Sequence, residues 1–224
     1  MSITSIAFKS KGTLLEGIIS TPYDKSGPYP AIIACHSHPS FRGHMGEEVI
    51  SAICQAAGNA GFATLRFNFR GTGESGGNHD GGRSERNDIK SALDVVRRWP
   101  GIDKTQITVA GYSFGASVIM DGASMLRKAN KFVLVSPPPK ASRESRLSKD
   151  SRPILIIAGE NDKLSPPDSL RQIFSDYKTP PLLKVIEGAN FSFMGHETEA
   201  VSYTHLRAHE TSLHLVCRLL LEKK

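Results

Sequence analysis

Gly111-Tyr112-Ser113-Phe114-Gly115 constrains this chain more than any other stretch. It follows the β-branched run 106–110 and precedes Ala116–Met120, which reads as the start of a helix. A G-x-S-x-G pattern between a strand and a helix is a strand-to-helix turn too sharp for ordinary side chains, with serine at its apex. Glycines two residues to either side remove the Cβ atoms that would collide there. Such a turn lifts the Ser113 hydroxyl above the sheet edge, at a helix N-terminus. There the Phe114 amide and the helix dipole can stabilise developing negative charge. The plainer alternative is a serine in an ordinary glycine-rich turn; the flanking strand and helix weigh against it.

The pattern implies an α/β chain, and the strand and helix signals alternate accordingly. Residues 3–9 and 13–20 read as an opening hairpin turning at Lys11 and Gly12. Buried-type strands are expected at 31–35, 62–69, 106–112, 131–136, 154–158 and 182–187. Helical spacing runs through Val49, Ile50, Ile53, Cys54 and Ala57, and again through Ile89, Leu93, Val96 and Trp99. Ser165-Pro166-Pro167-Asp168 opens a further helix to about Tyr177, with proline where the first-turn amide lacks a partner. Repeated βα units imply a mostly parallel central sheet with helices on both faces.

The last 24 residues read differently from the rest. Val201–Thr211 resembles a translated sequencing-library adapter, and His214–Glu222 resembles the flow-cell end of the same adapter. Lys223 and Lys224 are what a trailing poly-A would encode. The competing reading is an amphipathic C-terminal helix over Leu213–Leu221. The expectation is a single domain over residues 1–199, truncated within its final helix, with 200–224 a non-native tail. Setting Val201–Lys224 aside removes four Lys/Arg and two Glu and lowers the formal charge from +6 to +4. Much of the remaining excess lies in 140–149, an alternating-sign connection with no aromatic residue, so nucleic-acid binding is not expected. Cys35 and Cys54 sit in apolar runs and read as buried, reduced thiols. With no secretory h-region and no apolar run long enough to span a bilayer, a cytoplasmic protein without membrane partners is expected.

With strand order and elbow in place, the chain resembles the α/β-hydrolase superfamily. More narrowly, it is similar to the small, lidless bacterial hydrolases related to dienelactone hydrolases and serine aminopeptidase-like enzymes. The resemblance spans Gly12 to Glu197 and rests on five segments: Cys35–Pro39, Leu65–Ser75, Gly111–Gly115, Gly159–Asp162 and Ile186–Asn190. It implies a serine hydrolase of small ester, thioester or amide substrates, acting through an acyl-enzyme and needing no cofactor. Ser113 would be the nucleophile. Asp162, just after the strand 154–158, would be the acid that orients a histidine. The Phe114 amide would supply one oxyanion donor, and the His38 backbone amide, after the third strand, the second.

The general base is where the chain departs from that pattern. The resembled family carries a histidine after the last strand; here the aligned position is Phe191, in Gly188-Ala189-Asn190-Phe191-Ser192. A phenyl ring cannot take a proton. Loss of the base in a serine protease costs on the order of a millionfold in kcat. Four alternatives stay open: His196, five residues on, serves as base; the protein is a degenerate hydrolase that binds ligands; codon 191 is misread; or His38 or another group substitutes. Two further patterns compete. Gly71–Gly76 matches G-x-G-x-x-G but is followed by Gly77–Arg83 rather than a helix, so it reads as a loop bordering the site's mouth. His36, His38 and His44 could suggest a metal, but no nearby aspartate or further histidine completes a hydrolytic set. His36 reads instead as a strand-end residue bonded to loop backbone.

Overall fold

Lys11 and Gly12 both adopt positive φ, 49° and 90°. Two such residues form the kind of two-residue turn whose twist matches antiparallel strands. The turn joins β1 (Ser2–Ser10) to β2 (Thr13–Thr21), with Ser10 opposite Thr13. The computed structural model describes residues 1–23 and 27–194. His196, the expected final helix and the segment 200–224 lie outside the described residues.

After the hairpin, strands and helices alternate. β3 (Tyr29–Cys35) leads to α1 (Glu48–Asn59), β4 (Ala63–Phe67) to α2 (Glu85–Arg98), and β5 (Ile102–Tyr112) to α3 (Phe114–Gly122). β6 (Lys131–Val135) is followed by the short α4 (Pro139–Arg143), β7 (Ile154–Gly159) by α5 (Pro167–Ser175), and β8 (Leu182–Ile186) comes last. The strands form one sheet in the order β1-β2-β4-β3-β5-β6-β7-β8. β1 and β2 pair antiparallel, as do β2 and β4, while every pairing from β4 through β8 is parallel.

Both faces of the sheet are covered. On one, Ile33, Leu65, Phe67 and Val109 pack against Ile89 and Leu93 of α2, Ile119 of α3 and Leu170 of α5. On the other, Ile32, Ala34, Val133 and Ile157 meet Val49, Ile50 and Ile53 of α1. Among the described residues no helix is long and apolar enough to cross a membrane.

Three expectations need adjustment. β5 begins at Ile102 rather than 106, because Ile102 pairs with Tyr29 of β3 before the register shifts. The connection 137–152 is more than a solvated link. It holds α4 and a 3-10 turn, and Ser142, Ser145 and Leu147 are buried within it. Cys35 is buried as expected, whereas Cys54 is only partly so; both are free thiols.

The strand order reverses between β3 and β5, so the loops leaving their C-terminal ends diverge and open a crevice there. Two local features hold that crevice in shape. A Cβ at Gly115 would come within 2.8 Å of the Cys35 carbonyl carbon and of the His36 carbonyl oxygen. His36, fully buried at the end of β3, accepts the Phe69 N–H on Nε2 at 3.0 Å and bonds the Ser37 carbonyl through Nδ1 at 2.7 Å. It therefore ties the loop after β3 to the loop after β4.

Two predictions follow from this geometry. Gly115→Ala forces backbone against backbone, and urea unfolding should register a loss of about 1–3 kcal/mol or failure to fold; unchanged stability would mean that β3 and α3 can separate freely. Burial lowers the His36 pKa from 6.5 to about 4. The unfolded chain takes up a proton below pH 6.5 that the folded site refuses. The stability owed to neutral His36 is thus complete above pH 6.5 and lost as pH falls towards 4, by about 3 kcal/mol in all. His36→Gln has no proton to take up and should flatten this acid limb in urea unfolding; an equally steep limb would place the sensitivity elsewhere.

Candidate active site

Ser113 sits between β5 and α3 with φ 50° and ψ −104°, a backbone region that a non-glycine residue occupies only under constraint. The constraint is visible on both sides. A Cβ at Gly111 would lie 2.5 Å from the Gly115 carbonyl carbon and 2.6 Å from Ile119 Cδ1, and Gly115 is jammed against the end of β3. The Ser113 N–H is spent on the Val135 carbonyl of β6 at 2.9 Å, which fixes the apex to the sheet. Ser113 stays partly exposed while Phe114, Gly115 and Ala116 are buried. Phe114 is the first residue of α3, and among the described residues no loop or turn carbonyl takes up its N–H. The same holds for the His38 N–H.

Asp162 follows β7 and is 2 % exposed. Its Oδ1 accepts the N–H groups of Leu164 (2.9 Å) and Ser165 (2.8 Å), while its equally buried Oδ2 has no hydrogen-bond partner among the described residues. A buried carboxylate oxygen is costly without a donor. Neighbouring Glu160 is exposed and its Oε2 accepts the Gly188 N–H at 2.9 Å, so it faces the loop after β8 rather than the sheet interior. That loop is locked to the end of β7: Asn161 N–H donates to the Ala189 carbonyl at 2.8 Å, and a Cβ at Gly159 would meet the Ala189 and Asn190 carbonyls.

Phe191 is placed as a packing residue. Its ring centroid lies 5.2 Å from that of Tyr112, and it joins the core face that contains Val133 and Ile157. The Tyr112 hydroxyl donates to the Phe191 carbonyl at 3.1 Å. Burial raises the Tyr112 pKa, and the carboxylates of Glu47 and Asp162 raise it further, so the phenol keeps its proton.

The loops after β3 and β4 contain groups that the motifs did not flag. Glu47, just before α1, accepts both the Ser37 N–H (2.7 Å) and the Ser37 hydroxyl (2.6 Å), and burial raises its pKa. His38 accepts the Ser40 N–H on Nδ1 at 3.1 Å, and its carbonyl accepts from Phe41 and Gly43. Its Nε2 faces His79 Nε2 at 3.1 Å, and His79 Nδ1 meets the fully buried Glu85 carboxylate at 2.6 Å. The His38 and His79 rings stack edge-on against Phe114, at 4.8 and 5.2 Å. The sequence singled out His38 for its backbone amide and as an alternative base, with no signal that His79 and Glu85 join it; that they meet is a property of the strand order.

Gly71–Gly76 behaves as a mouth loop. Gly71 and Gly73 adopt positive φ, and Glu16 of β2 accepts the Asn68 amide (2.6 Å) and the Glu74 N–H (2.7 Å). Arg70 closes the base of the loop through a two-point pair with buried Asp88. No phosphate cradle opens a helix there. As for metal ligation, His36 is committed on both ring nitrogens, and His44 Nδ1 accepts the Gly46 N–H at 3.0 Å. Among the described residues no group of three or more His, Cys, Asp or Glu is arranged to hold a metal ion.

Ser113, Asp162, Phe114 and His38 thus all lie at the C-terminal edge of the sheet, at the ends of β5, β7 and β3. Residues 15–222 match the Dienelactone hydrolase family. A protein of unknown function and α/β-hydrolase type from Agrobacterium tumefaciens is 32% identical, with a TM-score of 0.79 over 89% of this chain and 92% of that one. An α/β serine hydrolase homologue from Coxiella burnetii is 28% identical, with a TM-score of 0.78 over 97% and 95%. A lidless α/β serine hydrolase from Xanthomonas campestris shares the fold at 23% identity, with a TM-score of 0.75 over 93% and 97%. With an elbow serine between β5 and α3 in an eight-stranded sheet of this order, the chain belongs to the dienelactone hydrolase family of α/β serine hydrolases.

Proposed function

We propose that this protein hydrolyses small esters, thioesters or amides through an acyl-enzyme on Ser113. The observation that carries the reading is the elbow itself, a partly exposed serine held at φ 50°, with the Phe114 and His38 N–H groups taken up by no loop or turn carbonyl among the described residues. A constrained backbone at a functional serine is what pre-organisation of a nucleophile requires. The Ser113 hydroxyl attacks the substrate carbonyl, and the Phe114 and His38 amides receive the resulting oxyanion. A base takes the serine proton and returns it to the leaving group, and water then releases the acyl group by the same route.

Asp162 supports the base in this reading. Its Oδ1 is satisfied by backbone, and its buried Oδ2 calls for a donor of the kind an imidazole N–H supplies. In this reading His196, which lies outside the described residues, is the base proposed for that role, because Phe191 has no group to take a proton. The second reading, a ligand-binding protein that no longer turns over, is favoured by one observation: the Phe191 ring occupies the base's expected position and packs on Tyr112.

A fluorophosphonate probe separates the two. We expect it to label the protein at Ser113, with Ser113→Ala abolishing the adduct. His196→Ala should reduce acyl-ester turnover by a factor on the order of 10³ or more, and Asp162→Asn by about 10²–10⁴. Ligand-induced thermal stabilisation without any labelling would favour the binding protein. Full turnover in His196→Ala would remove His196 from the mechanism while leaving Ser113 in it.

A further inference from the structure

The buried Glu85 carboxylate, His79 and His38 form a continuous hydrogen-bonded chain ending on the loop after β3. Its proton positions follow from its ends. His38 Nδ1 accepts the Ser40 N–H, so it carries no proton, and the neutral ring holds its proton on Nε2. His79 Nδ1 faces a carboxylate oxygen at 2.6 Å, so it holds the proton on that side and leaves Nε2 as an acceptor. The 3.1 Å contact between the two Nε2 atoms is therefore a single directed bond, His38 donating and His79 accepting. The same tautomers argue against a metal bridging the pair, because His38 could offer Nε2 only by surrendering the Ser40 bond.

Glu85 is well anchored for this task. It lies in the first turn of α2 with no exposed surface, and it also accepts the N–H groups of Asp80 (3.1 Å) and Gly82 (2.9 Å). Across the pair, Phe114 presents its ring to both imidazoles, and Phe41 presents its ring to His38. From the other side, Glu47 clamps Ser37, one residue before His38. The His38 backbone is thus gripped on both flanks, while Gly115 presses the elbow against the carbonyls of Cys35 and His36.

We propose that His79, oriented by Glu85, is a positioning residue for catalysis: by accepting the His38 Nε2–H it fixes the turn at 38–43 and aims the His38 backbone N–H at the oxyanion over Ser113. The proposal rests on the acyl-enzyme reading above. Neither His79 nor Glu85 touches the reacting atoms, and both act through His38.

The test pairs two substitutions with a direct view of the protons. His79→Phe keeps an aromatic ring against Phe114 but cannot accept a hydrogen bond. His79→Gln can still accept from His38 through its carbonyl while its amide donates to Glu85. Fluorophosphonate labelling of Ser113 should slow about tenfold in His79→Phe and stay within about threefold of wild type in His79→Gln. For ester turnover the loss should fall on kcat with KM little changed. Thermal unfolding of both variants, measured alongside, keeps a folding defect from passing as a catalytic one. Long-range proton–nitrogen NMR of the labelled imidazoles should find His38 protonated on Nε2 and His79 on Nδ1. Unchanged labelling in His79→Phe, equal losses in both variants, or a proton on His38 Nδ1 would each overturn the proposal while leaving the hydrolase reading intact. Failure of the wild-type protein to label at all would overturn the hydrolase reading and, with it, the catalytic role of His79.

Discussion

Everything at the candidate site depends on how closely α3 approaches the end of β3. With no Cβ at Gly115, the first turn of α3 rests on the carbonyls of Cys35 and His36, and the missing Cβ at Gly111 lets β5 fold back beneath the same turn. That approach holds Ser113 at its positive φ, and among the described residues no loop or turn carbonyl takes up the Phe114 N–H. It also sets the end of β3 against the turn that carries Ser113. A single buried methyl group at either glycine would push the elbow from its neighbour.

The surrounding loops are held by polar clips, because the sheet edge offers no apolar core to hold them. His36 joins the ends of β3 and β4, Glu47 holds Ser37, Arg70 pairs with Asp88, and Glu16 gathers the turns after β4. Each clip buries a polar or charged group with its partners met, so each is specific in direction as well as stabilising. A loop fastened by side-chain hydrogen bonds can hold a backbone N–H at a set angle, whereas apolar contact alone leaves rotation free. The Glu85–His79–His38 chain belongs to this set.

The parts of this arrangement written in short-range sequence were legible there. The elbow, the strand periodicity, the proline-led start of α5 and the hairpin turn at Lys11 and Gly12 each depend on a few neighbouring residues. The buried extent of 137–152 was not legible, because Leu147 and Ser142 are covered by α3 and α5, which lie far off in sequence. The His38–His79 contact escaped for the same reason. Forty-one residues separate the two rings, and only the adjacency of β3 and β4 brings them together. Glu85 and Asp88, in the first turn of α2, are fully buried because the loop after β4 folds over them.

Asp162 and Phe191 support the two proposed readings in opposite directions, and they differ in physical cost. Phe191 costs nothing where it lies: its ring packs on Tyr112, and its carbonyl takes the Tyr112 hydroxyl. Asp162 is different. A carboxylate 2 % exposed, with one oxygen satisfied twice by backbone and the other by nothing among the described residues, is an expensive thing to retain for turn geometry alone. Asparagine or serine could accept the Leu164 and Ser165 N–H groups without burying a charge. The second oxygen has a use only if a donor reaches it. A carboxylate paired with an imidazolium is the arrangement in which the burial cost is offset by catalysis. On the proposed acyl-enzyme reading, Phe191 marks where the base does not sit, and the unpartnered Asp162 Oδ2 is what supports there being one.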